Sequence, residues 1–298
     1  MNSSYYYPYQ VKPYSTTDHF KFGINNFKNA IDLAVLVFFY NLIINIPAYF
    51  AFLQLFHGFH LSVKFTFPWT FPTLSNLYDY PESVSPFLLT FTYPSILTII
   101  VSRFMLTILG IWALSFIIFT ILESAFMGVI YSRIFSSEKI GFFDSVNKYF
   151  IRFVLFKLII MLISLPYLII FFVMPSIFHY FPSGFYFLAI LTPIAFLLVS
   201  YLFFLTPYII VSDDKPLAKA LSMSASYTLT SHTFSYVIVF VIFTAITSVI
   251  ISALMHIPIV GFIISLGIVS YIGTAFVIST FNFYEDLKRR MPFETVTV

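Results

Sequence analysis

The chain has 298 residues, of which 60% are hydrophobic, 21% aromatic and only 9% charged, with a formal net charge of +3. A soluble domain carries about 25% charged residues, so this composition excludes a soluble enzyme, a nucleic-acid-binding module and a disordered chain. It predicts an all-α transmembrane bundle in one integral membrane domain, 1–298. The absence of cysteine removes disulfides, zinc–thiolate sites, iron–sulfur clusters and cysteine nucleophiles.

In chain order, residues 1–29 are polar and aromatic, without a basic start and apolar core, so no cleavable signal peptide is expected. A span needs about 20 apolar residues, and charge-free intervals locate the spans. Asp32 to Lys64 encloses 31 residues without a formal charge, and Arg103 to Glu123 encloses 19. Lys157 to Asp213 encloses 55 and Lys219 to Glu285 encloses 65, each enough for two spans and a turn. Six spans follow, at about 31–55, 96–129, 153–174, 185–208, 234–255 and 257–283. The apolar run 87–101, interrupted by Pro94, reads as a surface approach to the second span or its tilted extension. Phe181-Pro182-Ser183-Gly184 and His256-Ile257-Pro258 supply the turns, because Pro cannot continue a helix and Gly accepts left-handed geometry.

Lys and Arg fix an orientation. With the N-terminus inside, thirteen fall in cytoplasmic pieces and only Lys64 and Arg103 outside. By the positive-inside rule both termini are cytoplasmic and the span number is even. The expected location is the cell membrane.

Three segments between spans carry patterns of their own. In the outside loop, 56–95, Leu61, Val63, Phe65, Phe67, Trp69 and Phe71 alternate, as on one face of an extended segment. This fits an aromatic anchor at headgroup level or a lid over an outer cavity. Residues 131–150 interleave Ile134, Ile140, Phe143, Val146 and Phe150 with charges, which predicts an interfacial helix. Residues 212–232 predict a cytoplasmic amphipathic helix, capped by Ser212 with Asp213 and Asp214 at its positive end. Pro216 falls in its first turn, and Leu217, Leu221, Ala225 and Leu229 form its stripe. After the sixth span, 284–298 is a cytoplasmic tail whose first residues continue the helix until Pro292.

Pro207-Tyr208-Ile209-Ile210-Val211, Ala220-Leu221-Ser222-Met223-Ser224 and the turn Ile257-Pro258-Ile259-Val260-Gly261 resemble prokaryotic six-span families. These include the membrane domain of glycerophosphoryl diester phosphodiesterases. The resemblance covers the C-terminal half by motif and the N-terminal half by span count. It implies an architecture and transfers no active site.

Chemistry is sparse. His57 and His60 form an H-x-x-H pair without the further ligands that metals want, and no phosphate loop or nucleophile elbow occurs. No catalytic, cofactor or metal site is expected. Asp32 is expected at the start of the first span, and Lys157 is expected to snorkel to the cytoplasmic face. Arg103 and Glu123 are expected to mark the two ends of the second span, leaving no carboxylate in mid-membrane. Asn41 and Asn45, one turn apart, read as bonds to a neighbouring helix or to a substrate. Arg133, Lys215, Lys288, Arg289 and Arg290 read as one basic collar against anionic headgroups. The expected function is a non-enzymatic scaffold, lipid-associated protein or accessory subunit. The alternative is a permease or the membrane subunit of a transporter, and an intramembrane lipid enzyme ranks third. Membrane lipids and other membrane subunits are the expected partners, and nucleic acid is not.

Overall fold

In hydrocarbon, a backbone amide has no partner but the chain itself, and long uncharged runs satisfy it as helices. The computed structural model describes residues 15–55, 97–177, 194–195, 197–254 and 260–291. Among these there are helices and no strand. They are α1 (Thr16–Asn26), a 3-10 turn (Phe27–Ala30), α2 (Ile31–Leu55), α3 (Leu97–Ile134) and α4 (Phe142–Ile177). After the helical residues 197–202 come α5 (Thr206–Ser212), α6 (Leu217–Thr228), α7 (Ser231–Leu254) and α8 (Val260–Arg290). Four stretches among the described residues are long and apolar enough to cross a membrane: Thr16–Ile43, Ala113–Ile134, Ser231–Ile251 and Val260–Arg290. The outside loop, the turns at 181–184 and 255–259, and most of the fourth span lie outside the described residues.

Two close helix pairs build the frame. α3 packs antiparallel on α4, and α1 packs along the C-terminal half of α8. Each approach depends on a glycine. A methyl group on Gly128 would overlap Ser145 Oγ, and one on Gly23 would overlap the Ala275 carbonyl oxygen. α2 also packs on α8, and α5 on α6. The core lies at the end of the bundle where α3 and α8 finish, around Phe126, Tyr149, Tyr208, Tyr236, Phe281 and Tyr284. Tyr236 is its hub. Its ring stacks on Phe20 at 5.1 Å and on Phe283 at 4.2 Å. Its hydroxyl shares hydrogen bonds with Ser279 (3.0 Å) and Thr280 (2.9 Å).

Outward, the pattern reverses. Phe234, Ile238, Val241, Ile242, Ile246 and Val249 of α7 are all exposed. Their spacing puts them on one helical face, a surface suited to hydrocarbon.

The structure corrects several expected elements. Residues 131–150 do not form a separate interfacial helix. α3 runs to Ile134, a short turn follows, and α4 starts at Phe142 and continues. Ser212 does not cap the amphipathic helix but ends α5, and Pro216 occupies the N-cap of α6 in extended conformation. The buried face of α6 is Ala220, Met223, Ser224, Tyr227 and Thr228. Leu229, expected in the stripe, is 75% exposed. The run at 87–101 feeds α3, which takes in 97–101. α8 reaches Arg290, as the absence of a breaker before Pro292 predicts.

Candidate functional site

The ion-paired acidic side chains of α3, α5 and α8 collect in layers near this packed end. The outer layer joins α3, α5 and α8. Lys288 donates to Asp213 (2.7 Å) and to Glu285 (3.1 Å). Tyr284 donates its hydroxyl to Asp213 (2.9 Å), and Tyr131 donates to Glu285 (3.1 Å). Ser212 also donates to Glu285. Two carboxylates thus share one ammonium, and three hydroxyls help to carry the second negative charge. Sharing of this kind ties three helices into one register.

Beside this layer, Asp214 holds a left-handed backbone (φ 52°). That turn sets its carboxylate between Arg152 (2.6 Å) and Lys148 (3.1 Å) of α4. Arg152 also donates to the Lys215 carbonyl (3.3 Å). Burial alone would raise the Asp214 carboxyl, but hydrogen bonds from Arg152 and Lys148 hold it below its ordinary value. On the far side, His19 of α1 meets Asn282 (2.9 Å) and Asp286 (3.6 Å), and Arg290 holds Asp286 at 2.5 Å. A cavity of about 30 Å³ lies there, lined by Thr16, His19, His232 and Asp286 among others. It is large enough to admit water.

The inner layer lies two turns deeper. Glu123 is 2% exposed and forms an ion pair with Lys157 of α4. Lys157 also donates to Thr120 (3.1 Å) and sits 3.9 Å from the centroid of the Phe119 ring. From Tyr131 to Glu123 is about 12 Å at 1.5 Å per residue. Two expectations are corrected here. Lys157 does not snorkel outward, because the Glu123 carboxylate draws it into the bundle. Glu123 does not mark a helix end, so the bundle does hold a buried carboxylate.

The other expected residues fall as follows. Asn41 is buried and donates to the Val37 carbonyl of its own helix (2.9 Å). The side chains of Asn45 and Arg103, with His57 and His60, lie outside the described residues. Arg133 pairs with Asp32 at 2.6 Å. Lys288 and Arg290 hold the carboxylates already named, Lys215 is partly exposed and Arg289 is exposed. Three of the five collar residues, Arg133, Lys288 and Arg290, thus face carboxylates. Sequence reading missed α1 and the Asp214 junction. Ser15-x-x-Asp18 was the available sign of α1, since the Ser15 amide donates to Asp18 (3.0 Å) at its start.

Among the described residues no group of three His, Asp or Glu is placed to hold a metal ion. No protein-family model matches the chain, nor does a curated protein or a solved structure. The resemblance read in 207–224 and 257–261 therefore stands on those residues alone.

Proposed function

We propose that the chain is a six-span cell-membrane protein with cytoplasmic termini. It serves as a scaffold, a lipid-associated protein or an accessory subunit of a membrane complex. One observation supports this most: how the side chains divide. Glu123, Asp213, Asp214, Glu285 and Asp286 each face a cation within the bundle. Large apolar side chains on α2, α4 and α7 face outward instead. Charge is used to join helices, and the outer surface is left for lipid or another membrane chain. The third and fourth spans of the count, α4 and the apolar stretch at 185–208, are what bring the four candidate helices to six. Extraction in a mild detergent tests the reading. The expected result is recovery with a partner subunit or with retained lipid. Recovery as a bare monomer would contradict it.

A permease or transporter subunit is the second reading, and the buried Glu123 favours it, because ionisable groups inside membrane bundles often mark ion paths. Its partner Lys157 neutralises that charge, which ranks this reading second. Solute flux in proteoliposomes that disappears in Glu123→Gln would reverse the order.

A further inference from the structure

Four cations gather where α4 meets the start of α6. Lys148 and Arg152 project from α4 to Asp214. Lys215 and Lys219 stand one turn apart at the entry to α6, whose first turn holds no acidic residue. Arg152 links the two groups through the Lys215 carbonyl. Asp213 belongs to the Lys288 layer, and Asp214 faces Lys148 and Arg152. One carboxylate thus meets two cations there, with Lys215 and Lys219 following in the chain, and Lys148 and Lys219 are exposed.

The same face of α4 then turns apolar. Ile151, Leu155, Leu158 and Leu162 follow Lys148 at spacings of three and four residues, and all are exposed, at 68%, 46%, 41% and 68%. The stripe from Ile151 to Leu162 is about 16 Å long at 1.5 Å per residue. One leaflet of a roughly 30 Å hydrocarbon core is about 15 Å deep. A cationic end followed by one leaflet's depth of aliphatic surface matches the shape and charge of a single anionic lipid.

We propose that Lys148, Arg152, Lys215 and Lys219 bind the headgroup of an anionic glycerophospholipid whose acyl chains lie along Ile151–Leu162 of α4. The inference rests on the membrane reading above and gives that reading a specific ligand. Asp214 acts as the organiser: it holds Lys148 and Arg152 side by side in the absence of lipid. The headgroup neutralises the remaining charge. The site differs from the tail cluster, where Lys288 and Arg290 already hold carboxylates.

The test is native mass spectrometry of the full chain in mild detergent, equilibrated with equal phosphatidylglycerol and phosphatidylcholine. The variant Lys148→Gln/Lys215→Gln/Lys219→Gln leaves Arg152 on Asp214, and its thermal midpoint reports whether it is folded. Relative retention of phosphatidylglycerol should fall by about fivefold per cation removed, from about 1 kcal/mol each. The charge-matched control Lys21→Gln/Lys28→Gln/Lys139→Gln, at three exposed lysines elsewhere, should retain it as the unaltered chain does. Leu155→Ser/Leu162→Ser should weaken retention of phosphatidylglycerol, and excess glycerol phosphate should fail to displace it. Unchanged phosphatidylglycerol preference in the folded triple variant overturns the site. Displacement by glycerol phosphate, with no effect of the leucine changes, overturns the lipid assignment in favour of a soluble phosphate. Equal retention of both lipids by the unaltered chain overturns the site but leaves the membrane reading standing. Retention of neither lipid overturns the site, and recovery as a bare monomer, with neither lipid nor a partner subunit, overturns both.

Discussion

At the residue scale, the Glu123–Lys157 pair carries the highest stakes. A buried ion pair is costly to desolvate, and removing one partner strands the other charge. Glu123→Gln or Lys157→Met should each cost about 3–5 kcal/mol. Glu123→Met with Lys157→Met should cost clearly less than either single change. A double-mutant cycle on unfolding in detergent measures this, and additive costs would deny the coupling. Asp214 makes a different claim. Its folded carboxyl lies below the ordinary 3.8 because Arg152 and Lys148 outweigh its burial. A depressed carboxylate contributes stability that is present above its unfolded value and lost as pH falls through the folded one. The stability gap between the unaltered chain and Asp214→Asn should therefore be full near neutrality. It should close as pH falls from about 5 through the ordinary carboxylate range and on through the lower folded value. A gap that stays constant over that range would show that Asp214 has no such role. The inner pair was within reach of the sequence. Glu123 and Lys157 stand equidistant from Ile140 at the turn of an antiparallel helix pair. Reading 131–150 as a separate surface helix hid that symmetry.

At the element scale, α1 is the piece that hydropathy alone does not reveal. Its mean polarity is near neutral, with Asp18 and Lys21 on its outer face and His19, Phe20 and Gly23 buried. It is held by its fit to α8. Gly23→Ala places a methyl group against the Ala275 carbonyl oxygen, a backbone atom that cannot rotate away. The expected cost is about 1–3 kcal/mol, as for other overpacked contacts. Faster amide hydrogen exchange across α1 should accompany it. Protection equal to that of the unaltered chain would mean that α1 does not depend on this approach. The long helices α2, α3, α7 and α8 were legible because uncharged runs of that length have few alternatives to helix. α6 was legible as a helix but not in its rotation. Its leucine stripe competes with a buried face of small and aromatic residues set by contact with 202–211, through Ser224 and Thr228 donating to the Leu202 carbonyl.

At the scale of the whole molecule, the proposed topology puts the packed and charged end on the cytoplasmic side, with an even number of spans between the termini. Lys and Arg partition says so from sequence, and the ion-paired layers of α3, α5 and α8 lie at that same end. The chain has no native cysteine, so single cysteines report sidedness without background. The most direct measurement places one at Ser137, Ser222, Ser75 or Ser3 and labels each in intact and permeabilised cells with a membrane-impermeant maleimide. The expected result is labelling of Ser75→Cys in intact cells, and of Ser3→Cys, Ser137→Cys and Ser222→Cys only after permeabilisation. Labelling of Ser137→Cys and Ser75→Cys from the same side, or of Ser3→Cys and Ser222→Cys from opposite sides, would contradict the six-span cytoplasmic-end account.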